Sequence, residues 1–185
     1  MRVISGSARG RKLKPLPGLD TRPTAGSVKE SLFNILQFDI EGRRALDLFA
    51  GTGQLGIEAL SRGAAWCDFV DASPAAAKLV RENLQTTGFS DRAGVSQRDF
   101  LAFLQGCRGK KYDLIFLDPP YAQTALERAL EAIAAIDIVS ECGIIVCESP
   151  VEKVLPELSV PYGKGREYRY GKTKLTLYHR SEEPV

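Results

Sequence analysis

From Arg44 onward the chain alternates short apolar runs with helical patterns, and this rhythm restricts the fold more than any other feature. Candidate strands are Ala45–Phe49, Trp66–Asp71, Gly94–Gln97, Tyr112–Leu117 and Gly143–Glu148. Helical patterns fall between them at Leu55–Ser61, Pro74–Thr86, Phe100–Gln105 and Thr124–Ile136. The run Tyr112-Asp113-Leu114-Ile115-Phe116-Leu117 has the near-continuous apolar content of a strand buried on both faces. Repeated β-α units predict an α/β fold: a mostly parallel sheet covered by helices on both sides. The end of the chain breaks the rhythm. There Glu167–Tyr170 and Lys174–His179, joined across Gly171-Lys172, predict an antiparallel hairpin closing the sheet. A chain of 185 residues suits one domain with a small extension.

The extension stands out by charge. Residues 1–29 hold Arg2, Arg9, Arg11, Lys12, Lys14, Arg22 and Lys29 against Asp20 alone, a net +6, while the remainder carries −4. A basic arm on a mildly acidic body marks contact with nucleic acid or an anionic membrane, with a solvated tail as the plain alternative. No amphipathic apolar face accompanies the charges, which disfavours a membrane surface. Arg2-Val3-Ile4-Ser5-Gly6 and Arg11-Lys12-Leu13-Lys14-Pro15-Leu16 flank a Gly-Ser-Ala-Arg-Gly turn and predict a hairpin. Thr24 is placed to cap a helix over about 25–37, with Val28, Leu32, Ile35 and Leu36 on its apolar face.

Other chemistry is scarce. His179 is the only histidine, and none of Cys67, Cys107, Cys142 and Cys147 forms a Cys-x-x-Cys pair. A zinc site or a Ser-His-Asp triad therefore lacks material, and the cysteines read as free thiols, buried at 67 and 147. No apolar stretch reaches the roughly 18 residues of a membrane span. The amino terminus has no apolar signal core, so the expected location is the cytoplasm.

Two motifs carry the chemistry. The first strand empties into Asp47-Leu48-Phe49-Ala50-Gly51-Thr52-Gly53-Gln54-Leu55-Gly56, whose glycines match G-x-G-x-x-G between a strand and a helix. Asp71, 20 residues beyond Gly51 at the tip of the second strand, is placed for the ribose hydroxyls of an adenosine. Nicotinamide dinucleotides and S-adenosylmethionine share this layout. The acids decide between them: Asp47 before the glycines and Asp99 after the third strand suit a cationic ligand with an amine and an adenine N6. A pyrophosphate gains little from a carboxylate beside its loop. For Asp99 the alternative is a helix N-cap.

The second motif is Asp118-Pro119-Pro120-Tyr121 directly behind the fourth strand. In open α/β sheets ligands bind at the carboxyl ends of the strands. An amino group on a planar ring could give one N–H to Asp118 and the other to the Pro119 carbonyl, with Tyr121 stacked on the ring. The plain alternative is a proline-ended strand with Tyr121 packed under the next helix.

Together, Asp47-Leu48-Phe49-Ala50-Gly51-Thr52-Gly53 and Asp118-Pro119-Pro120-Tyr121 resemble the amino-group class of S-adenosylmethionine-dependent methyltransferases. Gly10-Arg11-Lys12-Leu13, Thr21-Arg22-Pro23-Thr24, Val28-Lys29-Glu30-Ser31-Leu32-Phe33-Asn34 and Ala59-Leu60-Ser61-Arg62-Gly63-Ala64 narrow the resemblance. They are similar to the bacterial guanine-N2 methyltransferases of small-subunit ribosomal RNA, RsmD type, over nearly the whole chain. The resemblance implies a seven-stranded Rossmann-like methyltransferase sheet over 39–185, preceded by a basic hairpin and helix over 1–38 that contacts RNA. It implies S-adenosylmethionine as cofactor and 16S ribosomal RNA as partner, within the small subunit or an assembly intermediate. A monomer that needs no metal and no membrane completes the expectation.

The resulting candidate residues are Asp118, Pro119 and Tyr121 for methyl transfer. Asp47, Phe49, Ala50, Gly51, Thr52, Gly53, Asp71, Ala72, Asp99 and Phe100 are the candidates for the cofactor. Arg9, Arg11, Lys12, Arg22 and Lys29 are those for RNA. Rival readings are an amino-group methyltransferase of DNA adenine or cytosine or of a protein glutamine, an NAD-dependent oxidoreductase, and a non-catalytic RNA-binding assembly factor on the same fold. The basic arm favours nucleic acid over protein. An oxidoreductase leaves the Pro-Pro turn unexplained.

Overall fold

The computed structural model describes residues 1–16, 26–119 and 124–180. Its centre is a seven-stranded sheet in the order β3-β2-β1-β4-β5-β7-β6. The strands are β1 Arg44–Asp47, β2 Trp66–Asp71, β3 Ala93–Gln97, β4 Tyr112–Leu117, β5 Val139–Pro150, β6 Tyr162–Tyr170 and β7 Thr173–Arg180. Pairings from β3 across to β5 are parallel. β7 runs antiparallel to both β5 and β6.

Among the described residues the helices are α1 Gly26–Ile35, which precedes β1, and α2 Gln54–Ser61, α3 Pro74–Thr87, α4 Phe100–Gln105 and α5 Ala125–Ile136 between strands, with a short 3-10 turn at Ser90–Arg92. Period-2 alternation sends Leu114, Phe116, Ile144, Val146, Leu175 and Leu177 to one face, against residues of α1, α2 and α3. Ile115, Leu117, Ile145, Cys147 and Tyr178 go to the other face, against α4 and α5. Both faces are thus dry, as a parallel sheet requires.

The main departures from the expected boundaries, in β1, β5 and β6, have physical reasons. β1 stops at Asp47 because residues 48–53 already turn toward α2. β5 starts four residues earlier than the apolar run, since its first part is a polar irregularity: the register jumps between Tyr112 and Leu114, and Cys142 sits at φ 59. β6 reaches back to Tyr162, but its sequence alternates glycine and charge at the sheet edge and shows no apolar period. Charged edge strands of this kind resist pairing with other chains.

The amino-terminal hairpin forms with a single antiparallel bridge, Arg2 to Lys12, and Val3 N–H donates to the Arg11 carbonyl at 3.0 Å. It is fastened to the body. Val3, Ala8 and Leu13 share a core with Leu32 of α1 and Leu60 of α2. The Glu58 carboxylate on α2, fully buried, accepts from the Ile4 and Ser5 amides at 2.8 and 2.9 Å, from Arg62 Nε at 2.9 Å, and lies 3.2 Å from Lys29 Nζ. At Gly6, φ +81, a Cβ would stand 1.8 Å from the Ser61 carbonyl oxygen, so only glycine fits this approach. Thr24, the expected cap of α1, lies outside the described residues.

Candidate active site

β1 lies between β2 and β4, and the chain leaves it toward β2 on one side while β4 leads to β5 on the other. That is the topological switch point, where a crevice opens at the carboxyl ends of the strands. The glycine loop fills its rim. Leu48 N–H donates to the Phe116 carbonyl at 3.1 Å and Ala50 N–H to the Val70 carbonyl at 2.9 Å, so the loop stays attached to both neighbouring strands. Gly51 and Gly53 take φ of 54 and 79, the left-handed region that glycine enters without a Cβ penalty. A Cβ on Gly51 would meet nothing within 4 Å, leaving the backbone open to a ligand. A Cβ on Gly56 would lie 2.3 Å from the Phe69 ring, so this third glycine serves helix-to-strand packing.

Four acids gather along the edge, each held differently. Asp71 closes β2; its Oδ2 accepts from Gly51 N–H at 2.9 Å and its Oδ1 from Ser73 N–H at 2.8 Å. Each oxygen keeps a second lone pair for an outside donor. Asp99 is the N-cap of α4, with Oδ1 accepting from Leu101 and Ala102 N–H at 2.9 and 3.2 Å, and it is exposed. Asp118 follows the last residue of β4 directly and is partly exposed, as is Pro119.

Asp47 corrects an expectation. Its side chain is 1% exposed and turns inward, where Oδ2 accepts from Gly56 N–H at 3.0 Å. It braces the first turn of α2 and offers no surface to a ligand. Burial raises its pKa to about 7, and the charges of Asp118 and Asp71 push it in the same direction. Asp47 thus acts through the loop it holds and the field it shares with those two carboxylates.

Around these acids, Phe49 after β1 and Phe100 at the start of α4 form a tilted ring pair, centroids 5.0 Å apart. Ala72 is exposed between β2 and α3. The Thr52 hydroxyl donates to Met1 Sδ at 3.3 Å, and the Thr52 carbonyl accepts from Asn83 Nδ2 at 2.9 Å. Glycine loop and hairpin therefore touch. Beside them a cleft of about 850 Å³ is lined by Met1, Arg2, Arg9 and Lys12 of the hairpin, Glu30 of α1 and Gln54, the first residue of α2.

Arg9, Arg11 and Lys12 are exposed on the hairpin. Lys29 is a second correction. Only 2% exposed, it donates to the Arg2 carbonyl at 3.0 Å and pairs with Glu58, so its charge is spent inside the protein. Desolvation lowers its pKa, and Glu58 works against that shift. Arg22, Pro120 and Tyr121 lie outside the described residues.

Sequence reading passed over Glu58 and Asn83, both fully buried. The signal was there: a carboxylate between Ile57 and Ala59, and an amide beside Leu79, Val80 and Leu84 on the buried face of a helix, are polar groups that must find partners.

A glycine loop after the first strand, an acid at the end of the second that holds this loop, and a seven-stranded sheet with an antiparallel end define a Rossmann-like fold of the methyltransferase type. A family model described as "Conserved hypothetical protein 95" matches residues 1–179. The YlbH protein of Bacillus subtilis is 42% identical over 97% of this chain and 99% of its own length. Ribosomal RNA small subunit methyltransferase D of Escherichia coli K12 is 33% identical over 99% of this chain and 91% of its own. The solved structure of the yhhF protein of Escherichia coli superposes with a TM-score of 0.89, at 33% identity and 99% coverage of both chains. The chain belongs to the RsmD family, that of the relatives named ribosomal RNA small subunit methyltransferase D.

Proposed function

We propose that this protein methylates the exocyclic N2 amine of a guanine in 16S ribosomal RNA, in the bacterial cytoplasm and as a monomer. The observation that carries the chemistry is the emergence of Asp118-Pro119 from β4 beside the glycine loop of β1, at one edge of the sheet. The RNA class rests on the relatives' name and on the exposed basic hairpin next to that edge. In this reading residues 1–38 form the RNA-contact extension and 39–185 the methyltransferase domain.

The residues present fit the methyl donor. Asp71 would accept the ribose hydroxyls on its remaining lone pairs, and Asp99 would accept the adenine amine on Oδ2, since its cap uses Oδ1. Ala72 and Phe100 would flank the adenine, and Phe49, Ala50, Gly51, Thr52 and Gly53 would line the loop side. When bound, S-adenosylmethionine supplies an electrophilic methyl group on a sulfonium. The guanine N2 lone pair, delocalised into its ring, is a poor nucleophile. Asp118 accepting one N–H and the Pro119 carbonyl the other would draw the nitrogen toward a tetrahedral shape and aim its lone pair. The N–C bond forms as the S–C bond breaks; the surplus proton goes to water, through the Asp118 carboxylate or directly. Positioning of this kind can remove about 7–11 kcal/mol of barrier. Unstacking the base costs about a few kcal/mol, and stacking on Tyr121 would return about 1–3 kcal/mol.

The reading is tested by deleting the gene and mapping lost modifications of ribosomal RNA by mass spectrometry. Loss of one N2-methylguanine in 16S RNA, restored by the purified protein with labelled methyl donor, is the expected result; an unchanged map overturns it. The hairpin has its own test. Reversing the charges of Arg9, Arg11 and Lys12 should weaken RNA binding and flatten its salt dependence, with S-adenosylmethionine affinity unchanged. Intact RNA binding in that variant would remove the hairpin from the interface.

Asp47 predicts a pH effect. Its folded pKa, about 7, lies above the ordinary 3.8, so its contribution to stability is full below the unfolded value and is lost as pH rises through about 7. Binding runs the opposite way, because ionised Asp47 favours a sulfonium. Between pH 6 and 8 the affinity ratio of S-adenosylmethionine to neutral-sulfur S-adenosylhomocysteine should rise by about two- to tenfold. Asp47→Asn should flatten that profile in calorimetric titrations.

A further inference from the structure

The carboxamide of Asn83 joins three elements that the reaction uses separately. It stands on the buried face of α3, fully enclosed. Its Oδ1 accepts from Lys14 N–H at 2.8 Å, and its Nδ2 donates to the Lys14 carbonyl at 3.2 Å and to the Thr52 carbonyl at 2.9 Å. Lys14 belongs to the returning half of the basic hairpin, and Thr52 is the middle residue of Gly51-Thr52-Gly53. The helix that carries Asn83 begins just after Asp71, which holds the same loop through Gly51 N–H. The glycine loop is therefore slung between two points of one β-α unit, and the second point is shared with the hairpin.

The side chain is suited to nothing else. A buried amide is costly unless its donors and acceptor are met, and here the described partners are all backbone groups of other segments. Its two bonds to Lys14 imitate one rung of a β-ladder. Leucine of similar size could make none of these bonds, aspartate could not donate, and glutamine is one methylene too long.

We infer that Asn83 is a positioning residue through which occupancy of the methyl-donor loop and the setting of the RNA-binding hairpin are coupled. A ligand that fixes Thr52 fixes the Asn83 amide, and that amide fixes Lys14. The coupling is reciprocal by necessity, so RNA that orders the hairpin also favours the ligand-ready loop. The inference rests on the reading of the loop as donor site and the hairpin as RNA contact.

The test uses unreactive S-adenosylhomocysteine and small ribosomal subunits purified from a strain lacking the gene. Each affinity is measured with and without saturating amounts of the other. In the wild type each ligand should tighten the other by about tenfold, within the usual range of such couplings. In Asn83→Asp, which loses both donations to the Lys14 and Thr52 carbonyls, each ligand alone should bind more weakly and the mutual effect should fall to about twofold or less. A merely structural role would weaken both ligands and leave their ratio as in the wild type, and that result overturns the inference. Because the variant could fail to fold, the wild type supplies a second readout. Hydrogen exchange at the Lys14 amide should slow on addition of S-adenosylhomocysteine alone; unchanged exchange overturns the coupling. Absence of binding by either ligand sinks the underlying function, whereas independent binding of both sinks only this inference.

Discussion

Asp118→Ala is expected to bind S-adenosylmethionine with near wild-type affinity and to transfer its methyl group about 10³-fold more slowly, or worse. Removal of one preorganised partner of developing charge costs about 10²–10³ in turnover in well-studied sites. Here the same carboxylate is also proposed to orient the amine, so both contributions vanish together. The loss should fall on kcat measured in single turnovers, with little change in donor affinity. Asp118→Asn should recover part of the rate, since an amide oxygen still accepts an N–H. Full single-turnover activity in the alanine variant would count decisively against the mechanism. The variant should also lower the pKa of Asp47, because the charge of Asp118 is among the causes that raise it.

The largest effect on stability is expected at Glu58. Its carboxylate gathers two backbone amides, Arg62 and Lys29 in full burial. Glu58→Ala strands the Lys29 ammonium without its counter-charge and orphans the Ile4 and Ser5 amides. Breaking a buried pair from one side costs about 3–5 kcal/mol, readable in urea denaturation as a lower midpoint. Lys29→Met should cost clearly less, because Glu58 keeps Arg62 and both amides. A cost for Glu58→Ala no greater than that for Lys29→Met would show that this cluster does not hold the hairpin.

How far these features could be read from the chain depended on whether local chemistry agreed with tertiary demand. β2 and β4 were legible to the residue because apolar content and strand ends coincide there. The carboxyl-end acids were legible because sheet topology alone puts Asp71, Asp99 and Asp118 on one edge. β6 was half hidden, since an edge strand needs no apolar face. Asp47 and Lys29 were read by charge, and charge pointed outward; packing turned both inward, where a helix turn and a buried carboxylate needed them. Most of the hairpin's attachment was invisible, because its seats on Glu58, Ser61 and Asn83 lie more than 50 residues away in sequence.

That attachment bears on how specificity in such an enzyme could be re-engineered. The segment that would choose the substrate is not a cassette. Its amides end on a carboxylate of α2, one of its glycines is moulded to the end of that helix, and its return strand ends on an amide of α3. Grafted onto another methyltransferase without Glu58, Ser61 and Asn83, it would arrive with its backbone groups unanswered. Transplanting recognition here means moving the hairpin and the helical seats beneath it as one piece.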